Sequence, residues 1–227
     1  MAKTIRWKIE IILALILLSF SSCGDDFALS EKYYYIENEN KEWLIADSLV
    51  GEPFDMVDAN GITFNFTGYT VKNDFSIGTS GLIFLPMPTK KSYRENYYLT
   101  NNSNYGLSFS MYLYASYGVE FGDEIHINLG DIIFHYDLKN KLITKIYLPN
   151  GSENWTTTSN DKTKIFVNVD ELKSLNINHK TYEGVIHFSM KDNINMLTER
   201  SITELYYAKQ WGLIKYVYKN GLVVERK

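Results

Sequence analysis

Between Leu107 and Tyr117 the chain alternates without a fault. Leu107, Phe109, Met111, Leu113 and Ala115 fall on one side, and Ser108, Ser110, Tyr112, Tyr114 and Ser116 on the other. A strand sends successive side chains to opposite faces, whereas a helix would scatter these apolar positions around its axis. Glu124–Leu129 repeats the pattern with Ile125, Ile127 and Leu129 inward. Shorter runs predict strands at Ile132–Tyr136, Leu142–Leu148, Lys164–Val169, Tyr182–Ser189, Ile202–Ala208 and Leu213–Tyr218.

Turn chemistry separates these runs. Asp58-Ala59-Asn60-Gly61 stands between Phe54-Asp55-Met56-Val57 and Ile62–Thr67, and the Asn-Gly pair supplies the positive φ angles of a tight hairpin. Asn178-His179 marks another turn, and Asn220-Gly221 a third before Leu222-Val223-Val224. Only Val169–Leu175 (VDELKSL) offers one or two helical turns, too few to persist without packing. The expected fold is all-β: a single curved antiparallel sheet, half-barrel or sandwich-like, with little helix. Long open sheets must twist or close to hide their edges.

The N-terminus follows a different grammar. Lys3, Arg6 and Lys8 precede the apolar run Ile11–Phe20, and the small residues Ser21-Ser22 lead to Cys23. Charge, a short apolar stretch and small residues are the three parts of a secretory signal peptide. The run is about half the roughly 20 residues a membrane span needs. Phe20-Ser21-Ser22-Cys23 resembles the lipobox of bacterial lipoproteins, with Phe where Leu is commonest. That resemblance implies a diacylglycerol on the Cys23 thiol, and two or more acyl chains anchor a protein stably. Gly24-Asp25-Asp26 resembles the acidic export signal of surface lipoproteins in Bacteroidota-type envelopes. The organisation expected is a signal peptide over 1–22, a lipidated tether over 23–33 and a β-rich extracytoplasmic domain over 34–227. The location expected is the outer membrane, facing either the periplasm or the surface.

Composition changes this picture by exclusion. Net charge is −4 for the 227 residues; the leader removes three basic residues and Glu10, leaving 20 basic against 26 acidic side chains. A mildly acidic chain without a basic cluster points away from nucleic acid. Cys23 is the only cysteine, so no disulfide framework and no CxxC metal or redox site exists. Eighteen Tyr and twelve Phe against four Pro suit pleated, half-buried surfaces.

Candidate chemistry is thin. His126, His135, His179 and His187 form no HxH or HExxH spacing, and His126 and His187 stand at the polar phase of their strands. Glu120, Asp123, Glu124 and Asp131 cluster around Gly122 and Gly130, where a glycosidase could find its two carboxylates and where polar turns also occur. No GxSxG elbow or glycine-rich phosphate loop is present. The sequons at Asn65, Asn150 and Asn154 are read as accidental in a bacterial lipoprotein. Tyrosines carry the one binding signal. Tyr97, Tyr98, Tyr112 and Tyr114, with Tyr33-Tyr34-Tyr35, can present rings with a hydroxyl at the rim to a sugar or peptide, or merely half-cover a sheet.

Near the C-terminus, Tyr206-Tyr207-Ala208-Lys209-Gln210-Trp211-Gly212-Leu213-Ile214-Lys215-Tyr216 resembles a YYAKGIGLIKY segment found in uncharacterised lipoproteins of Bacteroidota-type envelopes. Lys180-Thr181-Tyr182-Glu183-Gly184-Val185 is similar to the GKTYxxV segment that precedes it there. Gln210-Trp211 replaces the family's small pair before Gly212. The resemblance implies a curved antiparallel half-barrel or sandwich and assigns no activity. The expectation is therefore a non-enzymatic envelope lipoprotein without cofactor, metal or catalytic residue. Its partners would be the membrane through Cys23 and an envelope protein, a glycan or an apolar ligand in the sheet's concavity. The alternative is a hydrolase acting on envelope polysaccharide or peptide.

Overall fold

The computed structural model describes residues 31–80, 90–117, 121–129, 132–147, 153–154, 166–191 and 197–227. The leader, Cys23, Glu120, Asp131 and the sequons at 150 and 154 in whole or part lie outside them. The chain is mostly strand with almost no helix, arranged as two sheets, neither of them a closed barrel. Of the arrangements open to the sequence, it takes the sandwich-like one, with its strands shared between two sheets.

Numbered in chain order, the first sheet holds β1 (Lys32–Tyr34), β4 (Thr70–Ser80), β5 (Lys90–Asn102), β6 (Ser108–Tyr114), β7 (Glu124–Leu129), β8 (Ile132–Asp137), β9 (Leu142–Tyr147) and β10 (Glu153–Asn154). Its order is β1-β5-β6-β7-β8-β9-β10, with β4 also paired to β5. The second sheet is built from β2 (Phe54–Asp58), β3 (Thr63–Phe66), β11 (Phe166–Ile177), β12 (Lys180–Lys191), β13 (Ile202–Ala208), β14 (Gly212–Tyr218) and β15 (Val223–Arg226). It runs β11-β12-β13-β14-β15-β2-β3.

The chain divides into two compact units, one of Met1–Tyr33 with Ile77–Tyr93 and one of Tyr34–Ser76 with Arg94–Lys227. In the first, the Tyr33 and Tyr93 rings stack at 4.6 Å, and both hydroxyls donate to the Glu31 carboxylate. The second holds the sandwich core, formed by the inward phase of both sheets. Phe109 of β6 stacks on Tyr207 of β13 at 6.0 Å, and Phe134 of β8 on Phe188 of β12 at 5.1 Å. Met111, Ile125, Ile127, Leu205 and Tyr216 complete the layer, all essentially without solvent contact. Each such side chain contributes about 1.5–3 kcal/mol through burial. The inward side chains of the two sheets thus form one shared core.

Two elements depart from the sequence reading. VDELKSL is strand, not helix: it lies inside β11, paired with β12 from Phe166↔Lys191 to Ile177↔Lys180. Val167 and Val169 pack on the main core, while Leu172 and Leu175 pack on a second cluster with Ile177, Tyr182, Val185 and Ile214. Cross-strand pairing and burial outweigh a weak local helix preference. The joining turn at Asn178-His179 has φ of 49° and 65°, the two positive angles of a type I′ hairpin. The second is the β2–β3 hairpin, where only Gly61 of the Asn60-Gly61 pair takes a positive φ, +81°, because Asp58 Oδ1 accepts from the N–H groups of Asn60 and Ile62 and shapes the turn from its first residue.

Candidate functional site

The outer face of the first sheet carries one continuous row. Register pairs Tyr98 with Tyr112, Tyr112 with His126, His126 with His135, and His135 with Lys145, across β5 to β9. These residues occupy the phase opposite Leu99, Met111, Ile125 and Ile127, so alternation alone points them away from the core. Tyr114 stands beside the row, paired with Glu124.

The rings of this row stack on one another. Tyr98 and Tyr112 lie 4.3 Å apart, Tyr112 and Tyr114 are parallel within 5° at 5.7 Å, and His126 and His135 stack at 3.5 Å. Stacked rings cover each other's faces and offer their edges. The row therefore presents hydroxyl and imidazole groups to a ligand rather than flat platforms. Burial and the hydrogen bond with Tyr98 push the Tyr112 hydroxyl up to about 12, so it stays a proton donor at physiological pH.

Charge around the row is balanced. Glu124 takes His126 Nε2 at 3.3 Å and Arg94 Nη2 at 3.2 Å, and these partners, His126 first, hold its carboxyl down to about 2. Burial, then the neighbouring His126, pushes His135 down to about 4, with Glu124 opposing and Lys145 adding to the effect. A histidine held neutral in the fold but ready to protonate near 6.5 when unfolded lowers stability as pH falls through that interval. Discounted for its partial exposure, His135 is expected to lower the unfolding free energy by about 1 kcal/mol between pH 7 and pH 5. Urea titrations at the two pH values should show that slope flattened in His135→Gln; an unchanged slope would refute the assignment.

Of the tyrosines singled out in the sequence, Tyr98, Tyr112 and Tyr114 come together and Tyr97 does not. Adjacent strand residues point to opposite faces, so Tyr97 packs on the core side, with Lys41 Nζ 5.7 Å from its ring centre. Among the described residues no group of three His, Cys, Asp or Glu side chains could hold a metal ion. His187 lies in the second sheet, in its own outer row Asp170–His187–Tyr206–Lys215–Glu225. His179 sits in the β11–β12 turn.

The carboxylates near Gly122 separate into different roles. Asp123 is buried and accepts from Glu37 N at 2.8 Å, Asn40 Nδ2 at 2.9 Å and Ser116 N at 2.8 Å. Glu95, also buried, accepts from Ile36 N and Lys41 Nζ. Both are framework groups that pin residues 36–41 to the first sheet. Of the two acids among the described residues, Asp123 and Glu124, only Glu124 stands at the surface row.

A second feature escaped the sequence reading. An open cleft of about 540 Å³ is lined by Glu42, Thr181, Glu183, Lys209, Gln210 and Trp211. Lys209 Nζ pairs with Glu42 at 2.9 Å across it. On the Trp211 indole, Lys180 Nζ sits 3.3 Å from the ring centre and the buried Arg226 guanidinium 5.5 Å. Burial, then the Arg226 charge, lowers the Lys180 pKa. The one signal in the sequence was the bulky Gln210-Trp211 pair before Gly212. Gln210 holds φ +64°, and its N–H reaches the Glu42 and Leu44 carbonyls.

Compared with known proteins, the chain matches no family, no curated protein and no solved structure. Among the described residues, no helix is long and apolar enough to cross a membrane.

Proposed function

We propose that this protein is a lipid-anchored lipoprotein of the bacterial cell envelope whose β-sandwich is a binding or interaction module. The observation that carries the anchor is the order of residues 1–23: cationic start, short apolar run, small pair, then the sole cysteine. The acidic Gly24-Asp25-Asp26 supports the outer membrane as its location, and the YYAKQWGLIKY segment supports a relationship to Bacteroidota-type envelope lipoproteins.

For the ligand, the edge-presenting row Tyr98–Tyr112–His126–His135 favours a polar partner, a glycan or a polypeptide, over an apolar molecule. The filled space between the sheets argues the same way. The cleft beside Trp211 adds an aromatic ring flanked by charges of both signs, groups that a polar partner could pair with. A binding role is favoured over the hydrolase alternative because Asp123 has its oxygens committed to three framework donors.

Radiolabelled palmitate incorporation tests the anchor. Label is expected in the wild-type chain and absent from Cys23→Ala; equal label in both, or none in either, would refute it. Protease shaving of intact cells then reads which side of the membrane the domain faces.

A further inference from the structure

Trp211 immediately precedes β14, and two cations converge on its indole. Lys180, the first residue of β12, holds Nζ 3.3 Å from the indole ring centre and 5.4 Å from that of Tyr182. Arg226, the last residue of β15, brings its guanidinium carbon to 5.5 Å from the indole and 4.0 Å from the Phe54 ring. Its Nη1 donates to the Trp211 carbonyl at 2.6 Å. The Tyr182 ring meets the indole edge-on at 5.6 Å. All of these contacts except that with Phe54 involve Trp211 or lean on it, so the two charges belong to one cluster. Asn178 fastens the β11–β12 turn to it, its Nδ2 donating to the Arg226 carbonyl at 2.9 Å.

What the cluster lacks is negative charge. Lys41, Arg94, Lys209, Lys215 and Lys219 each hold a carboxylate at 2.8–3.2 Å. Among the described residues, neither Lys180 nor Arg226 has an ion-pair partner. The acids nearest in sequence do not supply one. Glu183 alternates with Tyr182 and takes the face of β12 opposite Lys180, and Glu225 is paired with Lys215. Arg226 is 6 % exposed, and burying a guanidinium without a counter-charge is costly. Its polar neighbours, the Trp211 carbonyl and the Tyr69 hydroxyl, carry no charge. The ring faces offset only part of the deficit.

We propose that the Lys180–Trp211–Arg226 cluster is a binding site for a phosphate group. Two positive charges without a partner match the charge of about −1.5 to −2 that a phosphate monoester carries at neutral pH. A carboxylate would balance only one of them. An ammonium binds phosphate as a point charge with rotatable donors. Lys180 and Trp211 each keep part of their surface in solvent, so the phosphate is met from outside by Lys180. Arg226, buried behind the indole, acts through its charge. The open cleft that Trp211 also lines leaves room beside the ring for whatever bears the phosphate. That the phosphate belongs to a larger envelope ligand rests on the binding reading above; the site for the group itself does not.

Isothermal titration of the full, detergent-solubilised chain with inorganic phosphate tests the site, at constant ionic strength and with acetate as the comparison. Saturable uptake of phosphate is expected, and the Trp211 indole N–H resonance, assigned with Trp211→Phe, should move with the same midpoint. Lys180→Gln should weaken the affinity by about tenfold, the loss of one charge-assisted hydrogen bond, and Lys180→Arg should restore it. Lys72→Gln, at an exposed lysine of β4 in the other sheet, should leave it unchanged. No saturable uptake, equal uptake by Lys180→Gln, or acetate bound as tightly as phosphate would overturn the site and leave the tyrosine row untouched. Glucose 6-phosphate identifies the source. Binding tighter than that of inorganic phosphate supports a phosphorylated sugar as the ligand. Tighter binding of the free ion would keep the site and overturn its part in holding a larger envelope ligand.

Discussion

Gly212→Ala is expected to cost about 4 kcal/mol of folding stability. Gly212 has φ +77°, a left-handed conformation that alone penalises a side chain by about 1–2 kcal/mol. A Cβ there would lie 2.4 Å from Tyr69 Oη, 2.7 Å from Tyr69 Cζ and 3.2 Å from Ile45 Cγ2. The ring cannot retreat. Tyr69 is fully buried, stacked on Phe54 at 5.2 Å, and its hydroxyl accepts the Leu213 N–H at 2.9 Å. Forcing extra volume into such a site adds about 1–3 kcal/mol. Urea unfolding of the purified variant measures the loss, and a change below about 1 kcal/mol would show that the Tyr69 contact is not rigid.

The same segment shows how far the sequence could be read. Gly212 was legible as a reversal because β13 and β14 are clean apolar runs on either side, and β13 spans Ile202–Ala208 as expected. β7 likewise keeps its expected limits, Glu124–Leu129. β5 was not legible, although it is the longest strand among the described residues. Glu95 and Asn101 stand at its core-facing positions, both buried, so polar residues break the alternation there. Glu95 is tolerated inside because Ile36 N and Lys41 Nζ satisfy it. A carboxylate partnered 59 residues away leaves no local trace.

The candidate site divides in the same manner. The outward phase of Tyr112, Tyr114 and His126 follows from period alone. The meeting of His126 with His135, and of Tyr98 with Tyr112, depends on strand register, which the loops set and a single sequence conceals. The pair Tyr97-Tyr98 could never have served together on one face, a conclusion strand geometry supplies once β5 is recognised. Lys180 on Trp211 depends on the β11–β12 hairpin reaching toward β15, where Asn178 Nδ2 donates to the Arg226 carbonyl at 2.9 Å.

Asp123→Ala is expected to cost about 4 kcal/mol, although Asp123 reads from sequence as an ordinary turn residue. The carboxylate is 2 % exposed and takes two backbone N–H groups and one side-chain amide. Removing it takes from the part-buried N–H groups of Glu37 and Ser116 their charged acceptor, at about 1.5–3 kcal/mol for each such hydrogen bond, besides the space it vacates. Asp123→Asn keeps one acceptor oxygen and should lose about half as much. Glu124→Gln, at a position with 21 % of its side chain exposed and two partners beside it, should lose only about 1 kcal/mol. Urea melts at pH 7 rank the three variants, and parity of Asp123→Ala with Glu124→Gln would refute the framework role. Hydrogen exchange adds location to magnitude. Faster exchange in Asp123→Ala should appear first at Glu37 and Ser116, because those amides lose their acceptor directly.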